Sequence, residues 1–288
     1  VNGFSREARC PICTLTCRFL TTDDYNSGRD GVSLPECPGH FCLTRERALV
    51  DTLRSIFSES EIAELTSHEV APLGLAFSKF LQEKTKNYIA SGFFPDSPFG
   101  EMVGDLRNEN AEEQTFEDET FDLVVHIDVL EHVFRPFDTI AECYRTLRPG
   151  GVCLFTTPIY EMPNSEQVAF LQSDGQVSIV GEPEYHGNPQ DENGSLVTWR
   201  YGYDLPLLIY RATNLETEIR RFYRPSIGVF GPMTEVAIIR KPGPEPVSLD
   251  IQPADEQTGL YQRLRKYWCA RADSRIVDDV KKSKQAGS

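Results

Sequence analysis

Two clusters in this chain of 288 residues hold side chains that bind metals or move protons. The first is "CPIC", with Cys10 and Cys13, followed by "CPGHFC", with Cys37, His40 and Cys42. Two such pairs joined by a loop offer four soft or borderline ligands, the set a closed tetrahedral zinc site needs, and a closed site is structural rather than catalytic. Each half carries the Pro or Gly of a tight metal-binding turn. The alternative is a loop-rich segment of reduced thiols without metal. The fourth ligand is open between His40, at the regular spacing, and Cys42, the softer donor; Cys17 is a spare thiol in either case.

The second cluster ends "FDLVVHIDVLEHV", residues 121–133. An apolar run should stop as a buried strand near His126 and Ile127, leaving Asp128, Glu131 and His132 at D-x-x-E-H spacing. If a helix starts there, these three share one side of it by the i, i+3, i+4 rule. They could hold a divalent cation, with His186 of "PEYHGNP" completing the set. The spacing fits better a pocket rim, in which the acid and the imidazole order the wall at a helix start.

The elements that must position these groups follow from pattern. "RERALVDTLRSIFSESEIAEL" carries a helical apolar stripe, expected to link the Cys-rich segment (1–45) to the rest over 46–66. Beyond it, short apolar runs near 67–71, 87–91, 101–104, 121–127 and 151–157 alternate with amphipathic stretches, as in a parallel sheet covered by helices. "PFDTIAECYRTLRPGG" reads as a helix that stops at Pro149-Gly150-Gly151. "DLPLLIYRATNLETEIRRFY" predicts a helix and then a strand, "TEVAIIRKP" a last strand, and 243–288 a linker with a helix near 258–270. With 40% hydrophobic residues the chain can bury one sizeable core. No apolar run is long enough for a membrane span and the first residues lack a signal-peptide core, so a cytoplasmic protein is expected. The net charge of −15 opposes a large nucleic-acid footprint.

Taken in order, "FEDETFDLVV", "DVLEHV" and "LRPGG" leading into "TTP" resemble the second half of a class I S-adenosylmethionine-dependent methyltransferase domain of the Rossmann-like group. "HEVAPLGLAFSKFLQEKTKNYIASGFFPD" resembles a divergent first half, from a subgroup whose N-terminus has a similar Cys-rich ribbon; the likeness spans about 8–242. It implies an α/β fold, a methyltransferase sheet with helices on both faces over 67–242, preceded by a zinc ribbon. It also implies a cofactor, S-adenosylmethionine, bound beyond the carboxyl ends of the strands. Carried over motif by motif, the cofactor would meet Glu69, Pro72 and Gly74 after the first strand, Gly92 and Phe93 after the second, Asn110 and Ala111 after the third, and His126, Ile127 and Asp128 at the fourth.

Two departures stand out. Only "APLG" replaces the usual run of glycines, so Gly74 is expected to allow the close approach. The acid that commonly grips the ribose is absent at Gly92, with Asp96 a distant substitute, and Asn110 stands where an acid usually does, with Asp105 a rival. In some relatives an E-x-x-E-H arrangement holds magnesium. Candidate catalytic bases are His186, His126 and His132, and an insertion at 158–204 with Tyr160, Tyr185, Trp199, Tyr201 and Tyr203 is expected to form the substrate wall. The function implied is methyl transfer to oxygen of a small molecule or glycan. The alternatives are a ribosomal-RNA base methyltransferase with a zinc ribbon, and a binding protein that has lost the cofactor.

Overall fold

A computed structural model of the chain describes residues 5–21, 32–37, 41–188 and 191–243. His40 and the helix expected near 258–270 lie outside them. The described elements belong to one compact unit, Val1–Pro244.

The chain opens with β1 (Ser5–Arg9), β2 (Thr16–Thr21) and β3 (Val32–Glu36), an antiparallel sheet in that order. Next come α1 (Thr44–Ile56) and the one-turn α2 (Glu59–Ile62), whose break falls at Ser58, the N-cap of the second helix. The main sheet then begins: β4 (Thr66–Val70), α3 (Ala76–Lys84), β5 (Asn87–Gly92), β6 (Met102–Val103), β7 (Leu106–Asn108), β8 (Phe121–Ile127), α4 (Pro136–Thr146) and β9 (Leu147–Thr156). Three two-stranded pairs follow. β10 (Glu166–Gln167) pairs with β15 (Trp199–Arg200), β11 (Ala169–Leu171) with β12 (Val177–Ile179), and β13 (Tyr185–Asn188) with β14 (Asp191–Leu196). Then α5 (Leu205–Thr213), β16 (Glu218–Arg220) and β17 (Val236–Arg240) close the domain.

The eight-stranded sheet runs β16-β17-β9-β8-β4-β5-β7-β6. Its centre is parallel, β9, β8, β4, β5 and β7 in turn, and β17 is the antiparallel insertion between β9 and β16. β8 is apolar nearly throughout because both its faces are covered. Leu123, Val125 and Ile127 enter one core with Leu49, Leu53, Phe77 and Leu81 of α1 and α3. Phe121 and Val124 enter the other with Ile140 of α4 and Leu205 and Ile209 of α5. Burying each such side chain contributes about 1.5–3 kcal/mol.

The chain builds outward from β4 to β5 and β7, then returns to lay β8 on the other side of β4. That reversal splits the loops apart and opens a crevice beyond the carboxyl ends of β4 and β8. Two expectations are corrected. The third parallel strand is β7, 106–108, not 101–104, which supplies only the antiparallel edge β6. Residues 128–132 form a turn, with the helix starting at Pro136, so Glu131 and His132 precede the helix rather than open it.

Candidate functional site

A cavity of about 540 Å³ fills that crevice. Its size is ordinary for a small-molecule site. The β4 end contributes Ala71 and Pro72, the β5 end Ser91, Gly92 and Phe93, and the segment after β7 Asn110 and Ala111. Ile127, Asp128 and His132 line it from the β8 end, and Leu171, Gly187, Ser195 and Leu196 from the insertion.

The backbone at the two central strand ends is held in an unusual conformation. Ala71 has φ +49° and Asp128 φ +55°, left-handed values that a side chain disfavours. Hydrogen bonds hold both turns: the Ala71 amide donates to the Ser91 carbonyl (2.8 Å) and the Asp128 amide to the Thr156 carbonyl (3.0 Å). Strain of this kind gathers at ligand-binding sites, where the surroundings over-determine it. Gly74 also lies in the left-handed region at +67°, but a Cβ there would meet nothing within 4 Å and the residue does not line the cavity. Its role is conformational, not close approach. Gly92 is the crowded one, since a Cβ would come within 2.9 Å of the Phe94 ring.

Glu69 is moved off the cavity. β4 alternates its side chains, and the Glu69 carboxylate turns into the sheet–α3 interface, accepting hydrogen bonds from Ser78 Oγ (3.0 Å) and Tyr88 Oη (2.6 Å). Burial there pushes its pKa up to about 7. Asp96 and Asp105 do not line the cavity either. Besides Asp128, the acids at its wall are Glu109 and Glu112, to which no sequence motif pointed. Glu109 is engaged by Arg107 Nε and by the amide and hydroxyl of Thr115, and Glu112 by the amide and Nε of Arg135. Asn110 Oδ1 accepts the Glu112 amide (3.0 Å).

The histidines separate. His126 is fully buried under α4, stacked on Phe155 at 4.6 Å, with neither ring nitrogen hydrogen-bonded, and it does not line the cavity. Burial drops its pKa to about 3. It therefore leaves both the catalytic and the cofactor sets.

His132 lines the cavity, and its Nδ1 donates to the Leu196 carbonyl (2.9 Å), which leaves the lone pair on Nε2. Burial lowers its pKa, keeping it neutral. His186 stands behind it, ring centroids 5.1 Å apart and perpendicular, with Nε2 3.3 Å from Glu184 Oε1. His132 Nε2 and His186 Nδ1 both lie 3.9 Å from Oε1 of the buried Glu131, whose other oxygen accepts the Thr157 hydroxyl. These three residues place one ligand atom each within 4.8 Å of one another. An imidazole whose second nitrogen is oriented by a carbonyl or carboxylate is the usual arrangement around a metal.

The expected aromatic wall is not there: none of Tyr160, Tyr185, Trp199, Tyr201 and Tyr203 lines the cavity. Tyr201 is fully buried against Trp199 and donates to the Leu130 carbonyl (2.8 Å).

At the N-terminus Cys10, Cys13 and Cys37 converge within 4.8 Å. Cys42, fully buried, shares a hydrogen bond with Cys10. Cys17, set aside as spare, is drawn in as well, its sulfur 2.6 Å from Cys37 and 3.8 Å from Cys13. The C-x3-C spacing of Cys13 and Cys17 was the signal for it. Burial and mutual crowding raise the Cys13, Cys37 and Cys42 thiols, Cys13 to about 11. A dication would relieve that crowding by drawing off protons, so the donor set fits zinc.

Residues 79–155 match the family model described as "Methyltransferase domain". A "Probable S-adenosylmethionine-dependent methyltransferase" of Mycolicibacterium smegmatis is 43% identical over 54 residues, 19% of this chain and 21% of its own length. A ubiquinone biosynthesis O-methyltransferase of Roseobacter denitrificans is 34% identical over 70 residues, 24% of this chain and 28% of its own. These matches thus span under a third of either curated relative. A solved S-adenosylmethionine-dependent methyltransferase from Mesorhizobium loti aligns with 67% of this chain and 97% of its own at 16% identity and a TM-score of 0.41. The family match lies across α3 to β9 of a sheet ordered as described, so the segment 79–155 is similar to a methyltransferase domain, and it sits within a mostly parallel, Rossmann-like α/β fold.

Proposed function

We propose that this chain transfers a methyl group from S-adenosylmethionine to an oxygen of a small molecule or glycan. The observation that carries the reading is a neutral His132 whose free Nε2 stands at the wall of the switch-point cavity, beside the buried Glu131. The bound cofactor would supply an activated methyl on a sulfonium. Pro72, Gly92, Phe93, Ile127 and Asp128 would shape its berth, and Asn110 and Ala111, also on the cavity wall, would meet the adenine edge. What the protein adds is alignment and a base. His132 Nε2 takes the acceptor's hydroxyl proton, Leu196 fixes its tautomer, and Glu131 at 3.9 Å stabilises the imidazolium that forms. His186 acts through Glu131, since it is not itself on the cavity. The thiol cluster holds structural zinc through Cys10, Cys13, Cys37 and Cys42, with His40 and Cys17 as rivals for the fourth place. Such thiols suit a reducing compartment, and we assign the protein to the cytoplasm.

A second reading has an observation of its own: the convergence of Glu131, His132 and His186 would also hold a divalent cation. One experiment separates the two. Calorimetry establishes binding of S-adenosylmethionine, and labelled cofactor with host extract reveals what acquires the methyl group. His132→Gln should then lower turnover about 100-fold or more with cofactor affinity unchanged, and added magnesium should leave wild-type turnover nearly constant. A strict magnesium requirement replaces the base by a cation. No calorimetric binding removes the enzyme reading.

A further inference from the structure

Six consecutive residues, Cys42 to Arg47, tie the thiol cluster to two edges of the cavity. Arg47 is fully buried and locks the segment: Nη1 donates to the Cys42 carbonyl (3.0 Å) and lies 3.4 Å from its sulfur, while Nε and Nη2 donate to the Gly228 carbonyl (3.0 and 2.7 Å). Glu46, also buried, accepts the Leu43 amide at 2.6 Å and, with its other oxygen, the Phe77 amide at 2.8 Å. Phe77 lies in the first turn of α3, directly after the loop that brings Ala71 and Pro72 to the cavity. Just before Glu46 and Arg47 in the chain, Arg45 places Nε 2.7 Å from Asp128 Oδ2, with both side chains largely shielded from solvent. The remaining Asp128 oxygen accepts the Thr156 hydroxyl (2.8 Å). Asp128 is a cavity residue in the left-handed conformation, so what holds its carboxylate also holds the turn.

We propose that Arg45 is a positioning residue for the cofactor pocket, and that metal on the thiol cluster sets Arg45 in place through Cys42. Only two residues separate Cys42 from Arg45, so a change in the cluster has no slack in which to dissipate. Loading the cluster thereby raises affinity for the sulfonium nucleoside, and emptying it frees Asp128 and the β4–α3 loop together. This rests on the methyltransferase reading above and on the thiols holding zinc.

The test is calorimetry of S-adenosylmethionine with the full chain, zinc content measured in parallel and folding followed by circular dichroism. Arg45→Ala should weaken binding about tenfold with zinc content unchanged, and Arg45→Lys should restore part of the loss. Wild type stripped of zinc by a chelator should weaken to a similar degree, and stripping Arg45→Ala should cost little more, because the two act on one contact. Wild-type affinity in Arg45→Ala, unchanged affinity in the stripped protein, or fully additive losses would each overturn the proposal. A wild type that retains no zinc overturns its metal half. A zinc-loaded wild type that binds no cofactor instead removes the methyltransferase reading.

Discussion

His126 and His132 stand six residues apart and meet opposite fates, decided by where β8 ends. While the strand lasts, side chains alternate between two covered faces, and His126 falls on the α4 side with no hydrogen-bonding partner. Once the chain turns at Asp128, His132 comes round to the cavity. A formal count of residues placed both near the chemistry; only the turn told them apart. The same alternation took Glu69 away from the cavity while Val70 beside it stayed on the wall. His126 has a cost that can be measured. Its pKa falls from 6.5 in a free chain to about 3 in the fold, so its burial is tolerated in full above pH 6.5 and destabilises progressively as pH falls toward 3, by up to about 5 kcal/mol. His126→Phe, which keeps a ring stacked on Phe155, should hold its fold to lower pH than wild type in an acid titration followed by circular dichroism. Turnover at neutral pH should not change; a large loss there would return His126 to the site.

At the scale of elements, the strands were legible wherever apolar runs were long. The expected runs at 67–71, 87–91 and 121–127 lie within a residue or so of β4, β5 and β8, because central strands covered on both faces have little freedom in composition. The edge was not legible. β7 has only three residues, and the more apolar-looking 101–104 supplies its antiparallel partner. The loop after β4 was read for its glycine, and the structure divides that role between Ala71 and Gly74, both left-handed. Gly74→Ala should destabilise by about 1–2 kcal/mol through conformation alone, since a Cβ meets nothing there. Ala71→Gly should be neutral or stabilising by up to about 1 kcal/mol. Urea unfolding measures both, and a stabilising Gly74→Ala would contradict the backbone assignment.

For the molecule as a whole, composition spoke about partners more than about fold. A net charge of −15 gives the chain a field that repels polyanions. Mobility-shift titrations with structured RNA should therefore show no retardation at physiological salt until concentrations typical of non-specific contact, roughly 0.1 mM. A micromolar, salt-sensitive shift would favour the RNA alternative instead. Among the described residues no helix is long and apolar enough to cross a membrane. The thiol-rich N-terminus was legible because Cys spacing survives without any knowledge of the fold. Its tie to the cavity through Arg45 and Glu46 was not, since nothing in "TRERA" distinguishes residues that bridge distant elements from ordinary charges on a solvated helix.

The insertion that closes one side of the cavity is bolted to the turn beneath it. Thr198 donates its amide to the Glu131 carbonyl (2.7 Å) and its hydroxyl to the Val133 carbonyl (2.6 Å), and Tyr201 reaches the Leu130 carbonyl. Swinging this flap outward would rupture all three at once, so the chamber stands ready before any guest arrives. Occupancy should consequently build up in a single kinetic phase proportional to nucleoside concentration, with no slow plateau from a gate waiting to open.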